Sequence, residues 1–312
     1  MKRKINRERI FTALIAVLVL GLLAVWVGDG LCRLFRKPSE VTCIDERGAE
    51  TESETEQNSE FTDFKKEEEL PVKEASLGLT GLPAGYTTER KSVESLSEGT
   101  LAYSDTLPLA KNLVDFEDKN EYYHLKNMKL KIQESAVTAM NLLAETRFQE
   151  TGRSDLIVYS TSELYEKAGS VYPDFLPDRN TGFCLDLAFL NEDGTISGMT
   201  EEPDTWLHEN CWRFGFVFSV PEKPYHIRYV GNIHAAIMQK ENLTLAEYLH
   251  ALRAYSVSVP YTCVYEKEQM IIYFVPAAAF GYTDVPVPEY GSCQISGNGT
   301  DGYIVTAVVG HE

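Results

Sequence analysis

Apolar positions along the middle of the chain recur at two alternating periods. From Ser135 to Glu150 the apolar residues Val137, Met140, Ala144 and Phe148 fall three or four apart, the spacing of one helix face. Leu156-Ile157-Val158-Tyr159 is a short β-type run, and Ser162 to Lys167 reads as helical. Phe183 to Leu190 alternates as a strand does and ends in the turn signal Asn191-Glu192-Asp193-Gly194. Thr205 to Phe214 predicts a helix, Gly215 to Val220 and His226 to Val230 two strands, and Ile233 to Lys240 and Leu243 to Tyr255 two further helices. From Val257 the pattern turns to β, with runs at Tyr261 to Tyr265, Met270 to Val275, Gln294 to Ser296 and Tyr303 to Val309 separated by Gly and Pro. The pattern predicts an α+β domain with a β-rich tail, and about 200 residues suffice for one hydrophobic core.

The N-terminal pattern is different. Ile10 to Gly28 are nineteen residues without a charge, and a helix of that length rises roughly 28 Å, close to the roughly 30 Å of a bilayer core. Lys2, Arg3, Lys4, Arg7 and Arg9 precede it, which places that end in the cytoplasm by the positive-inside rule. A cleaved signal peptide also starts with basic residues, but its apolar stretch is only about 7–15 residues. Here the run is longer and ends in Gly28-Asp29-Gly30-Leu31-Cys32 before Arg33, Arg36 and Lys37, which reads as an uncleaved single-pass anchor. The expectation is a cell-membrane protein with residues 1–9 cytoplasmic, 10–28 spanning, and the remainder extracytoplasmic.

Charge divides the chain further. Residues 1–37 carry eight basic and two acidic side chains, residues 38–75 four and thirteen, and residues 76–312 seventeen and thirty-two, which make up the net charge of -18. So acidic a chain is no general nucleic-acid binder, and its 44% hydrophobic content is too high for a wholly disordered one. The Glu-rich stretch around Glu50-Thr51-Glu52-Ser53-Glu54 cannot bury enough surface to offset its ordering entropy. Residues 29–105 therefore read as an acidic, largely disordered spacer, with 76–105 a loosely ordered lead-in. Residues 106–256 read as the main domain and 257–312 as a β-rich extension. Of six cysteines, Cys184, Cys211, Cys263 and Cys293 lie in the domain at spacings matching no zinc motif. An exported Cys263 and Cys293 could bridge two tail strands; simple buried thiols are the other reading.

Three motifs follow in order: Thr181-Gly182-Phe183-Cys184-Leu185-Asp186, then Trp206-Leu207-His208-Glu209-Asn210 with Phe214-Gly215-Phe216, then Lys223-Pro224-Tyr225-His226-Ile227-Arg228-Tyr229-Val230-Gly231. With the preceding helix and strand they resemble the central motifs of the VanY-type zinc D-alanyl-D-alanine carboxypeptidases, over roughly residues 110 to 255. The resemblance implies a D-Ala-D-Ala carboxypeptidase-like fold, with trimming of the terminal D-Ala of peptidoglycan stem peptides as the family activity. Such an enzyme needs three protein ligands on zinc, a water, and a carboxylate base.

Carried over by position, Asp186 and His226 retain two ligand positions of the family motifs. The first ligand, the His of H-x-x-G-x-x-x-D, corresponds to Arg179, and the base, the Glu of E-P-W-H, corresponds to Lys223. Thr161 stands where the family has an assisting Arg. A guanidinium has no lone pair for zinc, and a lysine beside a carboxylate stays protonated. Glu222 as a substitute base, His208 or His234 as a substitute ligand, and a shifted register of the motif alignment are the possible rescues, the last opposed by the seven-residue separation of Arg179 and Asp186. The resemblance thus implies no cofactor, or zinc if the site is active. It suggests an Arg179–Asp186 ion pair in place of the metal, and Arg179, Lys223 and Arg228 as contacts for a peptide carboxylate. Asp186 with Arg179 as a purely structural pair and His226 as a satisfied core histidine are the competing readings, with Arg228 and Tyr229 bracing the fold. The expected function is a non-catalytic homologue binding stem peptide or a cell-wall protein; an active carboxypeptidase with an unusual site and an interaction module with an inert pocket are the alternatives.

Overall fold

The computed structural model describes residues 42–43, 82–161, 171–172, 176–199 and 204–311. In chain order the strands are β1 Thr42–Cys43, β2 Tyr86–Ser92, β3 Val114–Asp115, β4 His124–Leu125, β5 Lys131–Ile132, β6 Leu156–Ser160, β7 Cys184–Leu190, β8 Ile196–Gly198, β9 Phe216–Val217, β10 His226–Tyr229, β11 Tyr261–Tyr265, β12 Glu268–Pro276, β13 Tyr282–Pro288, β14 Cys293–Gly297 and β15 Gly302–His311. The α-helices are α1 Glu134–Thr151, α2 Thr205–Asn210, α3 Asn232–Glu241 and α4 Leu245–Leu252.

Helix α1 buries Val137, Met140, Leu143, Ala144 and Arg147, the stripe that its 3.6-residue period presents to one side. It stops at Gly152, whose left-handed φ of 72° turns its N–H back to the Phe148 carbonyl. Arg147 belongs to this buried face because Asp155, just before β6, and Asp204, the N-cap of α2, accept from its guanidinium at 2.7 and 3.2 Å. The helix lies on a sheet of order β4-β6-β7-β10-β9, with β8 added on β7. β4 pairs with β6 in parallel and the other pairings are antiparallel. All five residues of β6 are buried, which is why its sequence runs apolar without alternation.

The tail forms a second sheet, β1-β11-β12-β15-β14. One of its faces packs under α3 and α4 through Ile237, Leu245, Leu249, Ile272 and Ile304. The other packs against the β2–β13 ribbon through Tyr273, Val275, Val285, Val287 and Val305.

Several expectations change. The lead-in expected to be loose contains β2 and the 3-10 turn Val93–Ser97, and Leu101 and Ala102 are fully buried. β2 is mostly exposed polar sequence, held by its full-length pairing with β13. That partner went unpredicted because of its two prolines, Pro286 and Pro288, which remove ladder donors and confine a strand to an edge. Thr205 to Phe214 divides into α2 and the 3-10 turn Cys211–Phe214, and the strand expected from Gly215 to Val220 shrinks to β9. Cys263 and Cys293 are free thiols. β12 and β15 lie between their strands, which separates the backbones by about 14 Å at about 4.8 Å per strand, twice the roughly 7 Å that a disulfide reaches. The predicted helices at Ile10 to Gly28 and Ser162 to Lys167 lie outside the described residues. Among the described residues no helix is long and apolar enough to cross a membrane.

Candidate functional site

Strand register builds the site. Asp186 on β7 stands opposite Ser160 of β6 on one side and His226 of β10 on the other, so three neighbouring strands put these side chains in one row. Two residues along on the same face, Cys184 stands opposite Arg228. The 3-10 turn Pro177–Thr181 delivers Asp178 and Arg179 to this row. It leaves for β7 through Gly182, at φ 74°, where a Cβ would come within 2.3 Å of Leu113 Cδ2. Only glycine makes that turn without displacing the neighbour.

The contacts form a continuous network. Arg179 Nη2 and Ser160 Oγ both donate to Asp186 Oδ2. Asp186 Oδ1 lies 2.8 Å from His226 Nδ1, and His226 Nε2 lies 3.2 Å from both carboxylate oxygens of Asp178. Ser219 Oγ donates to Asp178 Oδ2 at 2.9 Å, and Arg228 Nη1 stands 4.0 Å from that oxygen. Arg228 Nη2 donates to the carbonyls of Thr100 and Ala102 at 2.9 and 2.5 Å. Arg179, Asp186, His226 and Arg228 have no meaningful exposure. A carboxylate only accepts hydrogen bonds, so His226 between two of them is satisfied with a proton on each nitrogen or with a cation on its Nε2 side. With protons alone, burial opposes the charge on both partners. The Asp178 charge nevertheless raises His226 well above its ordinary value, and His226, followed by Arg228 and Ser219, holds Asp178 well below the carboxylate range.

Each residue singled out in the sequence now has a place. Arg179, Asp186 and His226 come together, and the Arg179–Asp186 pair is formed. Lys223, half-buried, sits in the turn before β10, where its carbonyl accepts from His226 N at 3.0 Å. Glu222 is exposed. Arg228 is buried and spends one nitrogen on the lead-in carbonyls. Thr161 is wholly buried. His208 is exposed beside Phe218, and His234 is buried 2.8 Å from Tyr248 Oη and 3.1 Å from Thr306 Oγ1, so neither joins the row. Tyr225, where the family has Trp, stacks on Tyr172 with ring centroids 3.6 Å apart. The residues overlooked in the sequence are Asp178, Ser160, Ser219 and Cys184. The signal for Cys184 was its spacing of two from Asp186 on one strand; Asp178 gave none beyond its adjacency to Arg179.

The family's own zinc arrangement does not fit these residues. The position that the resemblance assigns to the first ligand holds a guanidinium, and one Asp186 oxygen is taken by Arg179 and Ser160. A different donor set does converge: Asp178, Cys184 and His226 are all buried, with their ligating atoms within 4.8 Å of one another.

Comparison with known proteins finds likenesses in both fold and sequence. The chain has the fold of the vancomycin-resistance D,D-dipeptidase VanXYg, solved with a D-Ala-D-Ala phosphinate analogue, at a TM-score of 0.54 and 21% identity over 72% of this chain and 99% of that one. In sequence it is 34% identical to a D-alanyl-D-alanine carboxypeptidase of Enterococcus faecium over 165 residues, which are 48% of this chain and 50% of that protein. It is 30% identical to YodJ of Bacillus subtilis (strain 168) over 88 residues, 25% of this chain and 29% of YodJ. The chain is thus similar in sequence to D-alanyl-D-alanine carboxypeptidases over about half its length and shares the VanXYg fold. No family model matches it. The chain spans half the length of the Enterococcus relative and less than a third of YodJ.

Proposed function

We propose that this protein is a membrane-anchored, extracytoplasmic member of the D-Ala-D-Ala carboxypeptidase fold that takes part in peptidoglycan metabolism by holding a stem peptide or a wall-synthesis partner without hydrolysing it. One observation carries the reading. The position of the first zinc ligand is Arg179, locked to the retained Asp186, while the base position is Lys223. Water has neither the family metal nor a carboxylate there to activate it. The uncharged run from Ile10 to Gly28 supports the anchor. The shared fold with VanXYg, whose structure holds a D-Ala-D-Ala analogue, supports a D-Ala-D-Ala peptide as the ligand class. Among Arg179, Lys223 and Arg228, Lys223 is the one that reaches solvent, and it would receive the peptide carboxylate. The inert-pocket reading is favoured by the way Arg179, Asp186 and His226 are buried against one another.

Calorimetry of the full-length protein with a pentapeptide ending in D-Ala-D-Ala, followed by analysis of the recovered peptide, separates these readings. Measurable heat with intact peptide is the expected result. Absence of heat at millimolar peptide rejects binding and leaves the inert module, and a shortened peptide rejects the non-catalytic reading.

A further inference from the structure

We propose that this protein holds a zinc ion on the edge of the His226 ring opposite Asp186, bound by His226 Nε2, the Asp178 carboxylate and the Cys184 thiolate. The inference rests on the reading that Arg179 has taken the family's metal position.

The three donors come from different elements of one rigid frame, the 3-10 turn, β7 and β10, and all are buried. Their ligating atoms lie within 4.8 Å of one another. The Nδ1 side of His226 is fixed by Asp186, whose other oxygen is held by Arg179 and Ser160. That arrangement keeps the ring hydrogen on Nδ1 and turns the Nε2 lone pair toward Asp178. A lone pair 3.2 Å from two anionic oxygens is repelled, so Nε2 holds either a proton or a metal cation there, and the donors around it favour the metal. Two ligands about 2.0–2.1 Å from one tetrahedral ion stand roughly 3.3 Å apart, which matches that separation. Cys184 supplies a third donor from beside the Asp178 backbone, with Sγ 3.3 Å from the Asp178 carbonyl. Imidazole, carboxylate and thiolate together form a zinc donor set, and the thiolate disfavours magnesium and calcium.

In this arrangement Asp186 changes role. It no longer ligates but orients the ligating histidine, as outer carboxylates do in carboxylate–histidine–zinc triads. As the Zn–S bond forms, the Cys184 thiol gives up its proton to solvent. Three protein donors leave the fourth tetrahedral position to a water, but all three are buried away from any peptide at the surface, so metal binding and peptide hydrolysis are separate questions here.

The test uses the full-length protein with Cys293→Ser, which removes the one exposed thiol among the described residues as a competing site. Elemental analysis should find about one zinc per chain. Replacement by cobalt should produce a thiolate-to-cobalt charge-transfer band in the near ultraviolet, which Cys184→Ser removes. Asp178→Asn should weaken zinc binding at least tenfold. The proposal is overturned if zinc added in excess does not bind and nitrogen-15 spectra show both His226 ring nitrogens protonated. It is equally overturned if the cobalt complex lacks the thiolate band, a result read on a protein that keeps Cys184 and so independent of whether the variants fold. Either failure leaves the non-catalytic reading intact, whereas release of D-Ala would reject that reading without bearing on where the metal sits.

Discussion

Arg179 and Asp186 form an ion pair in which neither side chain reaches solvent, at the two positions that the sequence resemblance assigns to zinc ligands. The motif's seven-residue separation is kept while its chemistry is exchanged, a guanidinium–carboxylate hydrogen bond standing where two metal bonds would. Breaking such a pair from one side strands a buried charge. Arg179→Ala should therefore cost roughly 3–5 kcal/mol, and pairing Arg179→Met with Asp186→Leu should recover part of that loss. Urea midpoints of the two variants at unchanged slope measure both effects.

Arg228 ties the central sheet to the lead-in, because its Nη2 donates to the carbonyls of both Thr100 and Ala102. Arg228→Met should leave those acceptors and the nearby Asp178 without their cation, at a cost of roughly 2–4 kcal/mol. Hydrogen exchange should rise first in Leu101 to Tyr103, next to the released carbonyls. Unchanged protection there would show that the lead-in is held by its apolar contacts alone.

His234 joins two helices to the tail sheet. It sits on α3, with Tyr248 of α4 on one ring nitrogen and Thr306 of β15 on the other, both hydroxyls that satisfy a neutral ring. Burial pushes its pKa down to about 4, from 6.5 when exposed. The sign follows from which state binds the proton. Between those values the unfolded chain is protonated at this residue and the folded one is not, so stability is complete above pH 6.5 and declines as the pH falls to 4. Below that both states are protonated and the loss levels off at roughly 3 kcal/mol. His234→Gln should flatten this part of the stability profile, as measured by denaturation at stepped pH.

What was legible in the sequence follows from where each signal lives. The stripe of α1, the apolar run of β6 and the tail strands β11, β12 and β15 are local patterns, and they lie where the periodicity predicts. β2 was not legible because Thr87, Thr88, Glu89 and Arg90 are exposed, so its pairing with β13 leaves no trace in the local alternation. At the site, Arg179 and Asp186 were found because motif spacing carries position. Asp178 was not, because its link to His226 spans forty-eight residues and exists only once the 3-10 turn is laid beside β10.

The central claim is that the carboxypeptidase fold persists here without its hydrolytic chemistry, and D-Ala release is its most direct measure. Full-length protein is incubated with a D-Ala-D-Ala pentapeptide and added zinc, and free D-Ala is quantified against a no-enzyme blank. The account predicts release no greater than the blank. Zinc-dependent release that His226→Ala abolishes would contradict it.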